Sequence, residues 1–508
     1  MRGKNRLLIN IVASIIATIV GLGIAFIFTP FLVAQIGKET YSFYPIASNL
    51  VNYFTIIVTA FNALASRFIT IEIVRKNKDK AQEYSSSVLL TNVILAAMFL
   101  IPMTFIVARA EFFFDIAPNQ VANVRCMFGL VFAAMLVNII GSVYGVATFV
   151  TERIDLRSGQ QIVISIVRVV LYISFFSIFH PNIVFVGVTT FCESIINFVI
   201  QYHWTRKLLP DYKISFSRAR FRAVKELFFS GIWSSISSLG NNLLSGLTLV
   251  FANMLFGAAA SGTLSIAHTL PSLCTTIITM MINVFYPRLT NQFASSGEIG
   301  LAKETMKSER LMGAIISVPI ILLIGMGKEF FLLWMPNENA IELQYGSVIY
   351  LIPYVIQANM WTLTQVYPVM NKVRKPALAM VVLGAFNAII CYIAPRFIDV
   401  SFYFVPMLST IFNIVYCVGF VPIYTSRILN SSPTPFYKHL LKATIATITT
   451  LFSTYIFRNI INCKGWIGFI ACGLISAAVG YVLFFIITLN KEEKSLLIDT
   501  VKGKIANR

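Results

Sequence analysis

The sequence predicts an all-α polytopic membrane protein. About fourteen transmembrane helices are expected, as two six-helix bundles related by a pseudo-two-fold axis along the membrane normal, plus two C-terminal helices. Three observations predict this. Of 508 residues, 57% are hydrophobic and only 12% charged, whereas soluble domains carry about 25% charged residues. Apolar runs long enough to cross a bilayer recur along the whole chain. Landmarks of the first six runs return in the next six at a nearly constant offset. The composition excludes a water-soluble globule, which would expose much of this apolar material. It excludes a disordered chain, because there is plenty to bury. Seven cysteines, most of them inside apolar runs, exclude a secreted disulfide scaffold.

A helix needs about 20 apolar residues to cross the hydrocarbon core. Such runs lie at 7–34, 41–66, 85–108, 120–149, 160–179, 182–202, 228–256, 263–287, 311–335, 343–370, 377–395, 400–425, 439–457 and 465–489. The first has no small-residue cleavage site at its end and reads as a retained span rather than a signal peptide. Pro353 and Pro368 interrupt the tenth, where a broken helix is expected.

Orientation follows from where Lys and Arg fall. The N-terminus has Arg2, Lys4 and Arg6, and the second loop has Arg67, Arg75, Lys76, Lys78 and Lys80. The sixth loop, 204–227, is the most basic. Loops and tails on the N-terminal side hold 32 basic and 13 acidic residues, and the opposite side holds 7 and 7. The positive-inside rule then puts both termini in the cytoplasm. The net charge of +19 is therefore a topology signal, and no nucleic-acid partner is expected. Membrane lipids are expected to meet the basic linker, as a helix lying on an anionic leaflet.

The repeat rests on two landmarks. Glu111-Phe112-Phe113 followed by Pro118 returns as Glu329-Phe330-Phe331 followed by Pro336, and Gly37 followed by Arg67 returns as Gly257 followed by Arg288. The division that results is 1–203 for the first bundle, 204–227 for the linker and 228–425 for the second bundle. Accessory spans 426–490 and a cytoplasmic tail 491–508 complete it. An even number of spans gives both copies one orientation, and a cavity is expected at the axis between them.

Two intramembrane charges draw attention. Gln161, Ser165, Arg168 and Tyr172 share one face of the fifth span, and Thr189, Glu193, Asn197 and Gln201 share one face of the sixth. Arg168 and Glu193 lie equally far from the turn at His180-Pro181, so they reach the same depth and invite pairing. A charge inside the membrane faces protein or water, never lipid. The pair therefore either locks the hairpin or lines a hydrated cavity in which Arg168 meets an anionic cargo. Spans seven and eight carry Ser/Thr/Asn stripes that include Asn241 and Asn283, with His268 the single histidine deep in a span. Such stripes also serve helix packing. Arg67 and Arg288 end spans two and eight, as interfacial anchors or as a candidate cytoplasmic gate.

Several chemistries are absent. There is no G-x4-G-K-[ST] phosphate loop, no H-E-x-x-H or zinc-spaced cysteine pair, and no potassium-filter motif. A single intramembrane carboxylate and loops of at most about 25 residues leave a catalytic site little to work with. No catalytic or metal-binding residue and no cofactor is expected.

The segments TPFLVAQIGKETYSFYPIASNLVNYFTIIVTAFNALASRFIT (29–70) and FSGIWSSISSLGNNLLSGLTLVFANMLFGAAASGTLSIAHTLPSL (229–273), with FYPRL (285–289) and GKEFFLLWMP (327–336), carry a family resemblance. They are similar to the polysaccharide transporter (Wzx-type flippase) branch of the multidrug/oligosaccharidyl-lipid/polysaccharide (MOP) superfamily. The resemblance implies a flippase in a bacterial cytoplasmic (inner) membrane that carries undecaprenyl-pyrophosphate-linked oligosaccharide from the inner to the outer leaflet by alternating access. The repeat unit would be one of O-antigen, capsule or exopolysaccharide. It further implies coupling to an H+ or Na+ gradient and contact with a polysaccharide polymerase or other assembly proteins. The polar stripes nominate Arg168, Glu193, His268, Arg125, Gln161, Asn197 and Asn241 as cavity residues. Two alternatives stand beside this reading, a drug/cation antiporter and a membrane-bound glycan-modifying enzyme.

Overall fold

The structure is a computed structural model that describes residues 2–495 apart from 76, 152, 211–213, 462, 464 and 492. The side chains of some further helical residues, among them Arg67, Ser234 and Asn283, also lie outside the described residues. Among the described residues the chain forms helices and turns, with no strand. The helices are α1 (Arg2–Ile36), α2 (Lys38–Val74), α3 (Lys78–Ala108), α4 (Ala110–Phe113), α5 (Val121–Gly141), α6 (Val146–Val150), α7 (Ile154–Ile178), α8 (Val184–Leu208) and α9 (Phe221–Ser245). They continue with α10 (Thr248–Ala267), α11 (Thr269–Trp334), α12 (Ala340–Ala358), α13 (Trp361–Val369), α14 (Arg374–Ile393), α15 (Phe404–Ile414), α16 (Val421–Ile428), α17 (Thr434–Ile460) and α18 (Trp466–Thr488).

Among the described residues, eleven stretches are long and apolar enough to cross a bilayer. Two of the eleven, Ser235–Thr279 and Phe285–Trp334, run 45 and 50 residues, more than twice the crossing length of about 20. Each contains a non-helical glycine, Gly257 and Gly297. Helix α2 and the pair α12–α13 fall outside the eleven. Gly37 and Gly257, matched in the sequence repeat, both take left-handed φ values, +79° and +87°. A side chain at that φ is strained, so both positions call for glycine.

The chain divides into two compact units, 1–242 with 249–262, and 243–248 with 263–508. In the first, α5 packs along α8, α1 along α7, and α2 against α3 and α5. Its linker residues 214–220 form no long helix. The Ser215 amide donates to Ser86 Oγ (3.1 Å) and the Arg220 amide to Ser87 Oγ (2.9 Å), so the linker is stitched to the start of α3. In the second unit α11 is central, and α12, α13, α17 and α18 pack on it. Val318, Ile321, Ala446 and Phe484 form one of its apolar clusters, in which the last two helices share. The expected break in the tenth span falls at Asn359-Met360, between α12 and α13, rather than at a proline. Pro353 stays inside α12, while Asn359 Nδ2 donates to Ser317 Oγ and Val355 O, both at 2.9 Å. The bonds of that amide hold the freed turn in place.

Candidate functional site

The site builds on the α7–α8 hairpin of the first unit. Arg168 Nε donates to Glu193 Oε1 and Nη2 to Oε2, each at 2.6 Å. Such a fork-to-fork pair is the strongest geometry two ionised side chains adopt. Among the described residues, Arg168 Nη1 has no hydrogen-bond partner. The Glu193 side chain is 12% exposed and that of Arg168 33%, so the carboxylate is enclosed while the guanidinium keeps an open edge. Tyr172 is buried beside the pair and packs against Phe28 with ring centres 5.5 Å apart.

The environment round α7 has two different exposed sides. Taking Arg168 as zero, a 3.6-residue helix puts Val163, Ile166, Val170 and Ile173 between about 140° and 220°. All four are 46–54% exposed, and this apolar side suits lipid. Arg157 and Gln161 fall within about 20° of Arg168, and both are exposed. Buried residues flank this polar line on each side. Ser158 meets Ser14 of α1 (Oγ–Oγ 3.2 Å), and Gln160 meets Asn197 of α8. A polar line facing away from the lipid side is the arrangement that water or a polar ligand requires. Arg157 stands three turns, about 17 Å, before Arg168 on that line. Reading the chain as loops and spans missed it, although its spacing of eleven residues from Arg168 was the available signal.

Asn197 joins three helices. It accepts from Gln160 of α7 and from Gln201 (3.1 Å), and its Nδ2 donates to Asn138 of α5 (2.9 Å). The sequence placed Gln161 in this stripe, but the structure turns Gln160 towards α8 and leaves Gln161 on the open line. Asn241, in the last turn of α9, is exposed.

Other expected residues sit elsewhere. Arg125 forms a two-pronged pair with Glu111 near the start of α5, at 2.5 and 3.2 Å, both side chains more than a third exposed. The Arg125 hydrogen bonds hold the Glu111 carboxyl below its usual range. In the second unit, His268 occupies the joint between α10 and α11, its ring edge-on to Tyr350 at 4.9 Å. Arg288 is exposed and lies 3.6 Å from Glu304. The side chain of Arg67 lies outside the described residues.

The second unit also holds a polar knot that the stripes did not show. Asn387 Nδ2 donates to the carbonyls of Leu243 (3.3 Å) and Leu244 (3.1 Å) and to Ser409 Oγ (3.1 Å). Those carbonyls end α9 and have no next turn to bond. Asn413 Nδ2 adds a bond to Ser245 Oγ at 3.4 Å.

A family model described as polysaccharide biosynthesis protein matches residues 7–293. The chain belongs to that family. It is 26% identical over 499 residues to the uncharacterized membrane protein EpsK of Bacillus subtilis (strain 168), covering 96% of this chain and 97% of that one. Among solved structures it is similar to an inward-facing multidrug resistance MATE transporter of the MOP superfamily. That match has a TM-score of 0.66 and 13% identity, over 81% of this chain and 94% of that one. It is also similar to the lipid II flippase MurJ in an inward closed conformation, with a TM-score of 0.63 and 12% identity, over 94% and 99%. The chain is thus a multi-pass membrane protein with the fold of MOP-superfamily transporters.

Proposed function

We propose that the protein is a flippase, moving undecaprenyl-pyrophosphate-linked oligosaccharide from the inner to the outer leaflet of the bacterial cytoplasmic membrane by alternating access. The observation that carries this reading is the open polar line Arg157–Gln161–Arg168 on α7, set opposite an apolar exposed side. A pyrophosphate glycan on a lipid tail needs cations away from lipid for its head and lipid for its tail. Glu193 holds Arg168 in one geometry, while Nη1 remains free to donate to a phosphate oxygen. The carboxylate therefore positions the guanidinium and limits how tightly the cargo is held, which favours release. Membership of a polysaccharide biosynthesis family supports a glycan cargo, and the fold shared with a protein named lipid II flippase supports lipid-borne transport. Both termini are taken as cytoplasmic, with an H+ or Na+ gradient as the driving force and a polymerase or other assembly proteins as receivers of the product.

The test is export of surface glycan in cells whose only copy carries Arg168→Ala. Export should fall at least ten-fold at unchanged protein level. Unchanged export from a stably inserted variant would remove Arg168 from the cargo path. Full restoration by Arg168→Glu with Glu193→Arg would reduce the pair to a structural lock.

A further inference from the structure

In the second unit a pocket of about 760 Å³ opens where α13 turns into α14 and α16 ends. Lys372, Lys375 and Arg427 line it, together with Glu298, Phe420 and Tyr424. None of the three cations makes an ion pair with a described acid. Glu298 is already engaged, because Asn430 Nδ2 donates to its Oε2 at 2.7 Å. The pocket thus carries three cations against one committed carboxylate. Two residues with left-handed backbones, Asn371 (φ 56°) and Asn430 (φ 48°), fix the turns that bear Lys372 and follow Arg427.

A second feature leads into the same place. Ile411, Val415 and Ile423 are 48%, 49% and 41% exposed, and Gly419, also exposed, stands between the last two with open space where a side chain would be. With Arg427 these residues form one row at a spacing of four. Such a row drifts round an α-helix of 3.6 residues per turn. Here residues 415–420 form a π-helix, whose wider turn takes back part of the drift. The row therefore runs as an exposed apolar track, and Gly419 and Ile423 belong both to the track and to the pocket wall.

From the charge balance and the track together, we infer that this pocket binds one anionic glycerophospholipid of the surrounding leaflet. Its phosphate is taken by Lys372, Lys375 and Arg427, and an acyl chain lies along Ile411–Ile423. A soluble phosphate would use the cations and leave the track empty, whereas a zwitterionic lipid would use the track and leave the excess charge unmatched. The inference stands whether or not the cargo is the one proposed above.

The experiment is native mass spectrometry of the full-length protein released from detergent, titrated with phosphatidylglycerol. One lipid per chain should bind preferentially. Lys372→Gln with Lys375→Gln and Arg427→Gln should weaken binding about a hundred-fold, at about five-fold per cation, since each is worth about 1 kcal/mol near an anionic lipid. Gly419→Leu, which blocks the track and leaves the cations in place, should weaken binding at least ten-fold at an unchanged melting temperature. Equal retention by the triple variant, or equal binding of phosphatidylcholine, would overturn the site. Displacement by tail-less pyrophosphate at matched concentration would overturn the lipid assignment. Preferential capture of undecaprenyl phosphate over phosphatidylglycerol would overturn the assignment to a glycerophospholipid.

Discussion

Glu193→Ala strips Arg168 of its partner. An unpaired Arg at the centre of a spanning helix costs about 2.5–3.5 kcal/mol on insertion scales. Here a third of the side chain is open, and solvent screening brings the expected loss down to about 2 kcal/mol. Replacing both residues by leucine removes both charges and should fall within about 1 kcal/mol of the wild type, because a well-packed apolar pair often matches a buried ion pair. Arg168→Leu and Glu193→Leu alone should each cost about 2 kcal/mol, so a double variant costing at most about 1 kcal/mol puts the coupling energy between the two positions at about 3 kcal/mol. Thermal unfolding of the purified protein in detergent reads it. At roughly 1 °C per kcal/mol for a chain of 508 residues, Glu193→Ala should melt about 2 °C low and the double leucine variant within about 1 °C of wild type. Additive losses, with the double variant melting as low as the two single changes summed, would refute the pairing and with it the role of Glu193 as positioner. Surface-glycan export separates this from transport. The double leucine variant should be stable and inactive.

Other positions give independent outcomes. Arg157→Ala should lower glycan export several-fold without shifting the melting temperature, and Arg157→Lys should retain most of it, both read in the same export assay. Gly257→Ala should cost about 2 kcal/mol, because a side chain at φ +87° is strained and its Cβ would meet Asp115 Oδ2 at 2.8 Å; thermal unfolding measures it. Arg310 and Glu493 form a pair only 14% and 7% exposed, so Arg310→Met should cost about 3–5 kcal/mol by leaving a buried carboxylate alone. Adding Glu493→Leu should recover most of that loss in denaturation. The depressed Glu111 carboxyl stabilises the folded state above the unfolded carboxyl's titration, about pH 4.3, and that contribution is lost as pH falls through its lower folded value. The melting difference between wild type and Glu111→Gln should therefore shrink below that pH.

The helical fold was legible because membrane helices satisfy their backbone internally, so hydropathy alone marks them. Gly37 and Gly257, matched in the sequence, both take a backbone that few residues tolerate. Arg168 and Glu193 could be paired from their distance to a shared turn, because helix rise is fixed. Gln160 and Gln161 show where that reasoning ends. They differ by 100° on one helix, and which of them meets Asn197 depends on how α7 crosses α8, a tertiary quantity. The knot at Asn387 was hidden because the carbonyls it serves exist only where α9 stops, and no residue type announces that stop. The basic pocket was read as topology charge, since a sequence shows that Lys372, Lys375 and Arg427 share a side but not that they share a cavity.

Movement of a lipid-linked oligosaccharide across the bilayer, with Arg168 on its path, can be followed in a purified system. The direct measurement uses proteoliposomes loaded with undecaprenyl-pyrophosphate oligosaccharide, with cargo reaching the opposite leaflet scored by a membrane-impermeant glycan-cleaving enzyme. Time-dependent exposure is expected with the wild type, and at least a ten-fold slower rate with Arg168→Ala at equal reconstitution. No exposure above protein-free vesicles under either an H+ or a Na+ gradient, or equal rates for the two proteins, would contradict it.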